Sequence, residues 1–90
     1  MKKHNFSAGP AILPEEVISG ASEAVLELDH SGLSLIEISH RSSEFKTIME
    51  EACDLALKLL GLEGKGYKAM YLQGGASLQF LMAAYNLLEN

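Results

Sequence analysis

The feature that most constrains the fold is a stretch near the end of the chain that is apolar on nearly every side. Residues 76–88 follow a helical pattern, and their few polar positions do not gather on one face. A helix of this kind needs neighbours on every face. A chain of 90 residues with two other predicted helices and one or two short strands cannot surround it. The sequence therefore predicts that these residues are a piece of a larger protein.

Composition and charge exclude several classes of protein. Hydrophobic residues make up 48% of the chain and the net charge is −5, which is typical of globular rather than disordered proteins. Seven Lys and Arg against twelve Asp and Glu exclude a basic surface for nucleic acid. The apolar stretches are shorter than the roughly 20 residues that span a membrane. The single cysteine, Cys53, cannot form an internal disulfide. Together with three scattered histidines it cannot form a four-ligand zinc site either.

The first half of the chain is predicted to hold an arm, a helix and a short strand. Residues 1–13 are predicted as an extended arm, because Gly9-Pro10 cannot continue a helix. Two lysines near the start are followed by no apolar stretch, so a signal peptide is not expected. We therefore expect a reduced, cytoplasmic protein. Pro14 suits a first helical position, and apolar residues then recur at helical spacing over 14–29. Residues 35–39 alternate weakly and suggest a short strand.

A second amphipathic helix begins after Ser42 or Ser43, either of which is a suitable N-cap. It ends at Gly61, which suits the C′ position. Its apolar stripe has the spacing of a helix face turned to a core and consists of Phe45, Ile48, Met49, Ala52, Cys53, Ala56, Leu59 and Leu60. Residues 67–73 then predict a strand that leads into the apolar helix.

The junction between that strand and the apolar helix has the pattern of a phosphate-binding loop. Gly74 and Gly75 allow positive φ and a close approach of the backbone to a ligand. The following helix has unpaired N–H groups and a positive dipole end, and Ser77 adds a hydroxyl. The alternative is a tight turn with Ser77 as an N-cap. The loop lacks the lysine of a P-loop and the spacing of the dinucleotide fingerprint.

A second candidate site is the pair His40-Arg41, which precedes the start of the second helix. A guanidinium binds a carboxylate or a phosphate in a bidentate manner. Arg41 is the only arginine in the chain. The alternative interpretation is an ordinary surface arginine beside a solvated histidine.

Three motifs in this order resemble the phosphoserine aminotransferases, a class V family of fold type I pyridoxal-phosphate enzymes. They are NFSAGPA at 5–11, EISHRSSEF at 37–45 and QGGASLQF at 73–80. The resemblance implies an α/β fold, of which residues 1–90 would be the N-terminal segment, with 1–13 as its arm and 14–90 as the start of the large domain. It implies a cytoplasmic homodimer that uses pyridoxal 5′-phosphate. The reaction implied is amino transfer from L-glutamate to 3-phosphohydroxypyruvate in serine biosynthesis and, in many bacteria, in pyridoxine biosynthesis.

The resemblance also implies roles for eight residues of this chain, in two groups. Cofactor-phosphate contacts are expected from Gly74, Gly75, Ala76 and Ser77, and substrate contacts from Arg41, His40, Ser7 and Ala8. Many members have a second serine at the position of Ala8, so here only a backbone contact is expected. Some members have Gly-Arg at the position of Ala76-Ser77, so here the phosphate would depend on hydroxyl and backbone donors.

The segment lacks the groups that perform the chemistry of such an enzyme. None of its lysines lies in the family's Schiff-base motif, neither Asp29 nor Asp54 matches the acid against the pyridinium nitrogen, and there is no tryptophan. No catalytic residue and no metal ligand is therefore expected within residues 1–90. Two alternatives stay open: a non-catalytic truncated module that binds small anions or a partner chain, and another fold type I transaminase.

Overall fold

The first helix, α1, spans Glu15–Leu26 and lies within the predicted range 14–29. Pro14 is its N-cap residue rather than its first helical residue. Glu15 and Glu16 lie in the first turn, where the positive end of the helix dipole stabilises carboxylates. The structure, a computed structural model, describes residues 1–89; the last position of the predicted range 14–90 lies outside the described residues.

The chain turns back directly after α1, which is why this helix ends three residues earlier than predicted. Glu27 is already extended, with φ −158° and ψ 126°. The N–H of Leu35 donates to the carbonyl of Ala24 at 2.8 Å, and the N–H of Leu28 donates to the carbonyl of Leu33 at 2.8 Å. The first bond satisfies a carbonyl that the end of α1 leaves without an intrahelical partner, and the second closes the turn that follows. The turn between them places Asp29 and the next residue at positive φ.

The predicted strand over 35–39 is wrong, because these residues form turns. Ser34 is buried, and its carbonyl accepts the N–H of Glu37 at 2.9 Å. Its hydroxyl accepts the N–H of Ile36 at 3.3 Å, and the Glu37 carboxylate accepts the N–H of Ser34 at 2.8 Å. Such local bonds compete with pairing to another strand. The alternation in this stretch therefore does not indicate a strand.

The second helix, α2, spans Ser43–Leu59, as the apolar stripe predicts. Its end at Gly61 is confirmed as a Schellman motif. Gly61 has φ +67°, its N–H donates to the carbonyl of Lys58 at 3.0 Å, and the N–H of Leu62 donates to the carbonyl of Leu57 at 2.9 Å. The predicted stripe is half-buried from Phe45 to Ala56, and its last two leucines are exposed. Cys53, predicted as a core thiol, is half-buried on this stripe.

The predicted strand over 67–73 is also wrong for the described residues, where 67–72 have no regular secondary structure. A strand needs a neighbour to accept and donate its backbone hydrogen bonds, and residues 1–89 supply none for this stretch. A side chain holds one point of it, since the hydroxyl of Tyr71 donates to the carbonyl of Ala52 at 3.2 Å.

The third helix, α3, spans Gly75–Leu87 and so begins and ends one residue before the predicted 76–88. Leu88 is extended, with φ −74° and ψ 122°. The prediction that this helix needs cover on all sides agrees with its exposure here. Phe80 and Tyr85 are 80% and 82% exposed, and α3 does not pack against α2 within residues 1–89.

Residues 1–89 belong to two compact units, Met1–Phe45 and a second that begins at Lys46. Only Leu28 and Ser34 are buried among the described residues. Large apolar side chains on all three helices are exposed to a degree that is unusual for a domain with its own core. The described residues are thus held mainly by caps and turns.

We expect residues 1–90, expressed alone, to bind a hydrophobic dye strongly and to self-associate, because the apolar sides of α3 have no cover. Phe80→Ser/Tyr85→Ser should lower the dye fluorescence, since both side chains are exposed. Leu28→Ala, which removes a buried side chain, should not lower it. Dye fluorescence and sedimentation velocity measure the two effects. A monomer with a cooperative thermal transition would contradict this expectation.

Candidate functional site

The N-terminal arm is not fully extended, because residues 5–12 close into a loop. The N–H of Ile12 donates to the carbonyl of Asn5 at 2.8 Å. Inside the loop, the Asn5 side chain accepts from the N–H of Ser7 at 3.0 Å and from the Ser7 hydroxyl at 2.7 Å. Gly9 at φ +88° allows the chain to reverse. The loop therefore fixes the position of Ser7, and Ala8 follows it at an exposed site.

His40 and Arg41 are the two central residues of a β-turn. The N–H of Ser42 donates to the carbonyl of Ser39 at 2.9 Å, which closes the turn. The N–H of Arg41 also donates to the hydroxyl of Ser39, at 3.1 Å. Both predicted site residues are exposed. A turn fixed at two points presents their side chains from a defined backbone, as an anion site requires.

The start of α2 follows this turn immediately. Ser42 is the capping residue, because its hydroxyl accepts the N–H of Phe45 at 3.2 Å. The N–H of Glu44 holds the pKa of the Glu44 carboxyl below its ordinary value, with smaller contributions from the hydroxyls of Ser43 and Ser42. Arg41 therefore lies beside a capped helix start whose nearest carboxylate keeps its charge to lower pH.

The two glycines before α3 both have positive φ, as their residue type predicts. Gly74 has φ +102° and is the N-cap residue of α3, so Ser77 is not its N-cap. Gly75 has φ +59°. A Cβ on Gly74 would lie 2.2 Å from Cδ2 of Leu78, whereas nothing lies within 4 Å of a Cβ on Gly75. Only Gly74 is thus required by space as well as by conformation.

The first turn of α3 has free donors and no competing charge. The N–H of Leu78 donates to the carbonyl of Gly74 at 3.3 Å. The N–H groups of Gly75, Ala76 and Ser77 precede any intrahelical acceptor, and within residues 1–89 they have no other partner. The first turn contains no acidic residue. Free N–H groups at the positive end of a helix fit a phosphate.

The predicted site residues fall into two groups, one in each unit. Ser7, Ala8, His40 and Arg41 lie in the first unit, and residues 74–77 lie in the second. The three loops are shaped by Asn5, Ser39 and Leu78, for which the sequence predicted no role. Asn5 and Ser39 could have been found from the sequence, because each is a short polar residue two positions before a predicted site residue.

Residues 1–89 contain neither a cluster of metal-ligating side chains nor a helix that could span a membrane. Within this range, no group of three or more His, Cys, Asp or Glu side chains is placed to hold a metal ion. Nor is any helix in this part of the chain long and apolar enough to cross a membrane. The shallow grooves along α1 and α2 are lined mainly by carboxylates, for example Glu16, Glu23, Glu50 and Asp54.

Solved structures of aminotransferases match this fold. Phosphoserine aminotransferase from Bacillus circulans subsp. alkalophilus has a TM-score of 0.86 and 42% identity over 98% of this chain and 24% of its own. A structure of phosphoserine aminotransferase that describes radiation damage of its Schiff base has a TM-score of 0.86 and 39% identity over the same shares. The predicted fold class, part of a fold type I enzyme, is confirmed.

Curated relatives share one enzyme name. The chain is 65% identical over 89 residues to phosphoserine aminotransferase of Flavobacterium johnsoniae and 52% identical to that of Bacteroides fragilis. Each match covers 99% of this chain and 25% of the relative, so the chain spans about a quarter of their length. A scan of protein-family models found no match. The chain is thus related to the phosphoserine aminotransferases over a segment of about a quarter of their length.

We expect the pKa of Glu44 to lie below that of an ordinary glutamate in a carbon-13 NMR titration. Because the pKa is lowered in the folded state, its contribution to the start of α2 is present above the ordinary pKa. This contribution is lost as the pH falls through the lowered value. Ser43→Ala should raise the Glu44 pKa part of the way, since the N–H of Glu44 remains. A Glu44 pKa unchanged by Ser43→Ala would contradict the assigned cause.

Proposed function

We propose that the chain is the N-terminal segment of a phosphoserine aminotransferase. The complete enzyme transfers the amino group of L-glutamate to 3-phosphohydroxypyruvate and forms phosphoserine and 2-oxoglutarate. The observation that carries this proposal is the 65% identity, over 99% of the chain, to a relative of that name. The free donors at the start of α3 support it, since they fit a phosphate.

In this proposal the segment binds and orients, and the rest of the enzyme supplies the chemistry. Residues 1–13 form the arm, and residues 14–90 begin the large domain. The Schiff-base lysine, the acid against the pyridinium nitrogen and the aromatic ring would lie outside this segment, which spans about a quarter of the relatives' length. Residues 1–90 alone are therefore expected to be inactive.

The cofactor of the complete enzyme is pyridoxal 5′-phosphate, which withdraws electrons from the substrate when bound. The N–H groups of Ala76 and Ser77 and the Ser77 hydroxyl would hold its phosphate. Gly74 and Gly75 have no side chain to keep the backbone away from the phosphate. A Cβ at Gly74 would also displace Leu78. The site depends on helix N–H groups, the dipole and one hydroxyl, since no cation lies in this loop.

Arg41 would bind the distal anion of the substrate, with His40 beside it. Both L-glutamate and 3-phosphohydroxypyruvate have an anionic group away from the reacting carbon, and a guanidinium binds either one through two parallel hydrogen bonds. The turn closed by Ser39 fixes the backbone of Arg41. Ser7 and Ala8 form the second substrate contact, with the N–H of Ala8 as an exposed donor.

The same proposal covers the partners and the setting of the enzyme. We propose a cytoplasmic homodimer that acts on small molecules, without nucleic acid or membrane as a partner. Serine biosynthesis is its pathway, and the resemblance extends the proposal to pyridoxine biosynthesis. The acidic composition supports the absence of nucleic acid, since the chain has seven cationic side chains against twelve carboxylates.

Arg41→Ala in the complete enzyme should lower kcat/KM for both substrates, because it leaves a substrate charge unpaired. The expected loss of transition-state stabilisation is about 2–4 kcal/mol. Arg41→Lys should restore only part of this, since an ammonium lacks the planar fork. Steady-state kinetics with each substrate measure the effect, and the cofactor affinity should stay near that of the wild type.

Lys58→Ala is the matched control, because it removes an exposed cation from the other end of α2. Its kinetics should equal those of the wild type. If Arg41→Ala behaves like this control, Arg41 is an ordinary surface residue and the proposed substrate site is wrong.

Gly75→Val should weaken cofactor binding by about tenfold or more, because valine is strained at φ +59° and its side chain obstructs the approach to the helix start. Ser77→Ala should cost about 1–2 kcal/mol, since the helix N–H groups remain. Gly20→Ala in α1 is the control, because nothing lies near its Cβ and its φ is ordinary. Titration of the complete enzyme with pyridoxal 5′-phosphate, followed by absorbance, measures all three. If Gly75→Val binds pyridoxal 5′-phosphate as tightly as the wild type, the loop is only a turn and the proposed phosphate site is wrong.

A further inference from the structure

Asn5 was not among the predicted site residues, yet it makes more hydrogen bonds than either predicted site residue in its loop. Its Oδ1 accepts the N–H and the hydroxyl of Ser7, at 3.0 and 2.7 Å. Its Nδ2 donates to the carbonyl of Pro10 at 2.6 Å, and its own carbonyl accepts the N–H of Ile12 at 2.8 Å. Asn5 therefore joins both sides of the loop.

These bonds determine which way the Asn5 amide points. The Pro10 carbonyl is an acceptor only, so it must face the NH₂ group, and Oδ1 then faces Ser7. An amide oxygen cannot donate, so the Ser7 hydroxyl proton must point to Asn5. Both donors of Ser7 are thus used inside the loop, and its hydroxyl oxygen is left as an acceptor.

The next residue has a backbone donor that the loop leaves free. The N–H of Ala8 has no acceptor within residues 1–89, and Ala8 is exposed. A methyl side chain does not cover this N–H. The backbone donor of Ala8 is therefore free for an anion, whereas both donors of Ser7 are already engaged.

We propose that Asn5 is a positioning residue for substrate binding, and this inference rests on the proposed function. Asn5 engages both donors of Ser7 and holds the loop so that the N–H of Ala8 donates to the anionic group of the substrate. The contact of this loop with the anion is then made by the backbone of Ala8, and the Ser7 hydroxyl contributes to the shape of the loop.

The first test needs no enzymatic turnover. The complete protein is labelled with nitrogen-15 alanine and titrated with L-phosphoserine, and the N–H resonance of Ala8 is followed. The wild type should show a saturable shift of the Ala8 signal. Asn5→Ala should need about tenfold more L-phosphoserine for the same shift, because a tenfold loss of affinity is about the contribution of one hydrogen bond. An Ala8 signal that does not respond in the wild type would overturn the proposal.

The second test separates positioning from general stability. Asn5→Ala should raise the KM for 3-phosphohydroxypyruvate about tenfold while kcat and the affinity for pyridoxal 5′-phosphate stay within about twofold. Ser7→Ala should raise this KM less, because the N–H of Ser7 still donates to Asn5. Ser31→Ala is the matched control: it removes an equivalent bond, from the N–H of Leu33 to the Ser31 hydroxyl, outside the site loops and should leave the Ala8 shift intact.

The outcomes distinguish this inference from the proposed function. If the wild type transfers no amino group but the Ala8 shift depends on Asn5, the function is wrong and the positioning is supported. If transfer proceeds normally and Asn5→Ala changes neither the KM nor the Ala8 shift, the function stands and the positioning role is overturned. A larger KM effect for Ser7→Ala than for Asn5→Ala would also overturn it, because the hydroxyl itself would then bind the anion.

Discussion

The burial of apolar surface is the constraint on which the other features of this segment depend. Leu28 is the one large apolar side chain that the described residues bury, while Phe80, Tyr85 and Leu87 on α3 are each more than three-quarters exposed. Covering a side chain of this size stabilises a fold by about 1.5–3 kcal/mol. The relatives are about four times longer than this chain, and under the proposed function we expect the additional length to cover these helices.

Local hydrogen bonds give the site loops their form without such cover. Asn5 shapes the loop before Ala8, Ser39 closes the turn at His40-Arg41, and Ser42 caps the helix that follows. Each of these bonds joins residues two or three positions apart, so the short sequence around each site is sufficient to form it. The donors of α3 need no partner within the segment, because a helix start leaves them free.

The sequence predicts those parts of the structure that depend on local chemistry. The end of α2 at Gly61, the positive φ of Gly74 and Gly75, and the helical stripe of α2 all follow from residue type and spacing. Both predicted strands are wrong, since a strand depends on a partner that alternation alone does not reveal. The roles of Asn5 and Leu78 were missed because they depend on which atoms meet after the loops close. The comparisons confirm the fold class, and the roles of the eight site residues remain predictions.

The most direct test of the account is an amino-transfer assay on the complete protein loaded with pyridoxal 5′-phosphate. L-glutamate is supplied with either 3-phosphohydroxypyruvate or 3-hydroxypyruvate, and the 2-oxoglutarate formed is measured. We expect transfer to both acceptors, with a kcat/KM about a hundredfold or more higher for the phosphorylated one, since a charge-assisted bidentate contact contributes about 2–3 kcal/mol. Equal values for the two acceptors would contradict the proposed anion site, and the absence of 2-oxoglutarate with either would contradict the proposed enzyme.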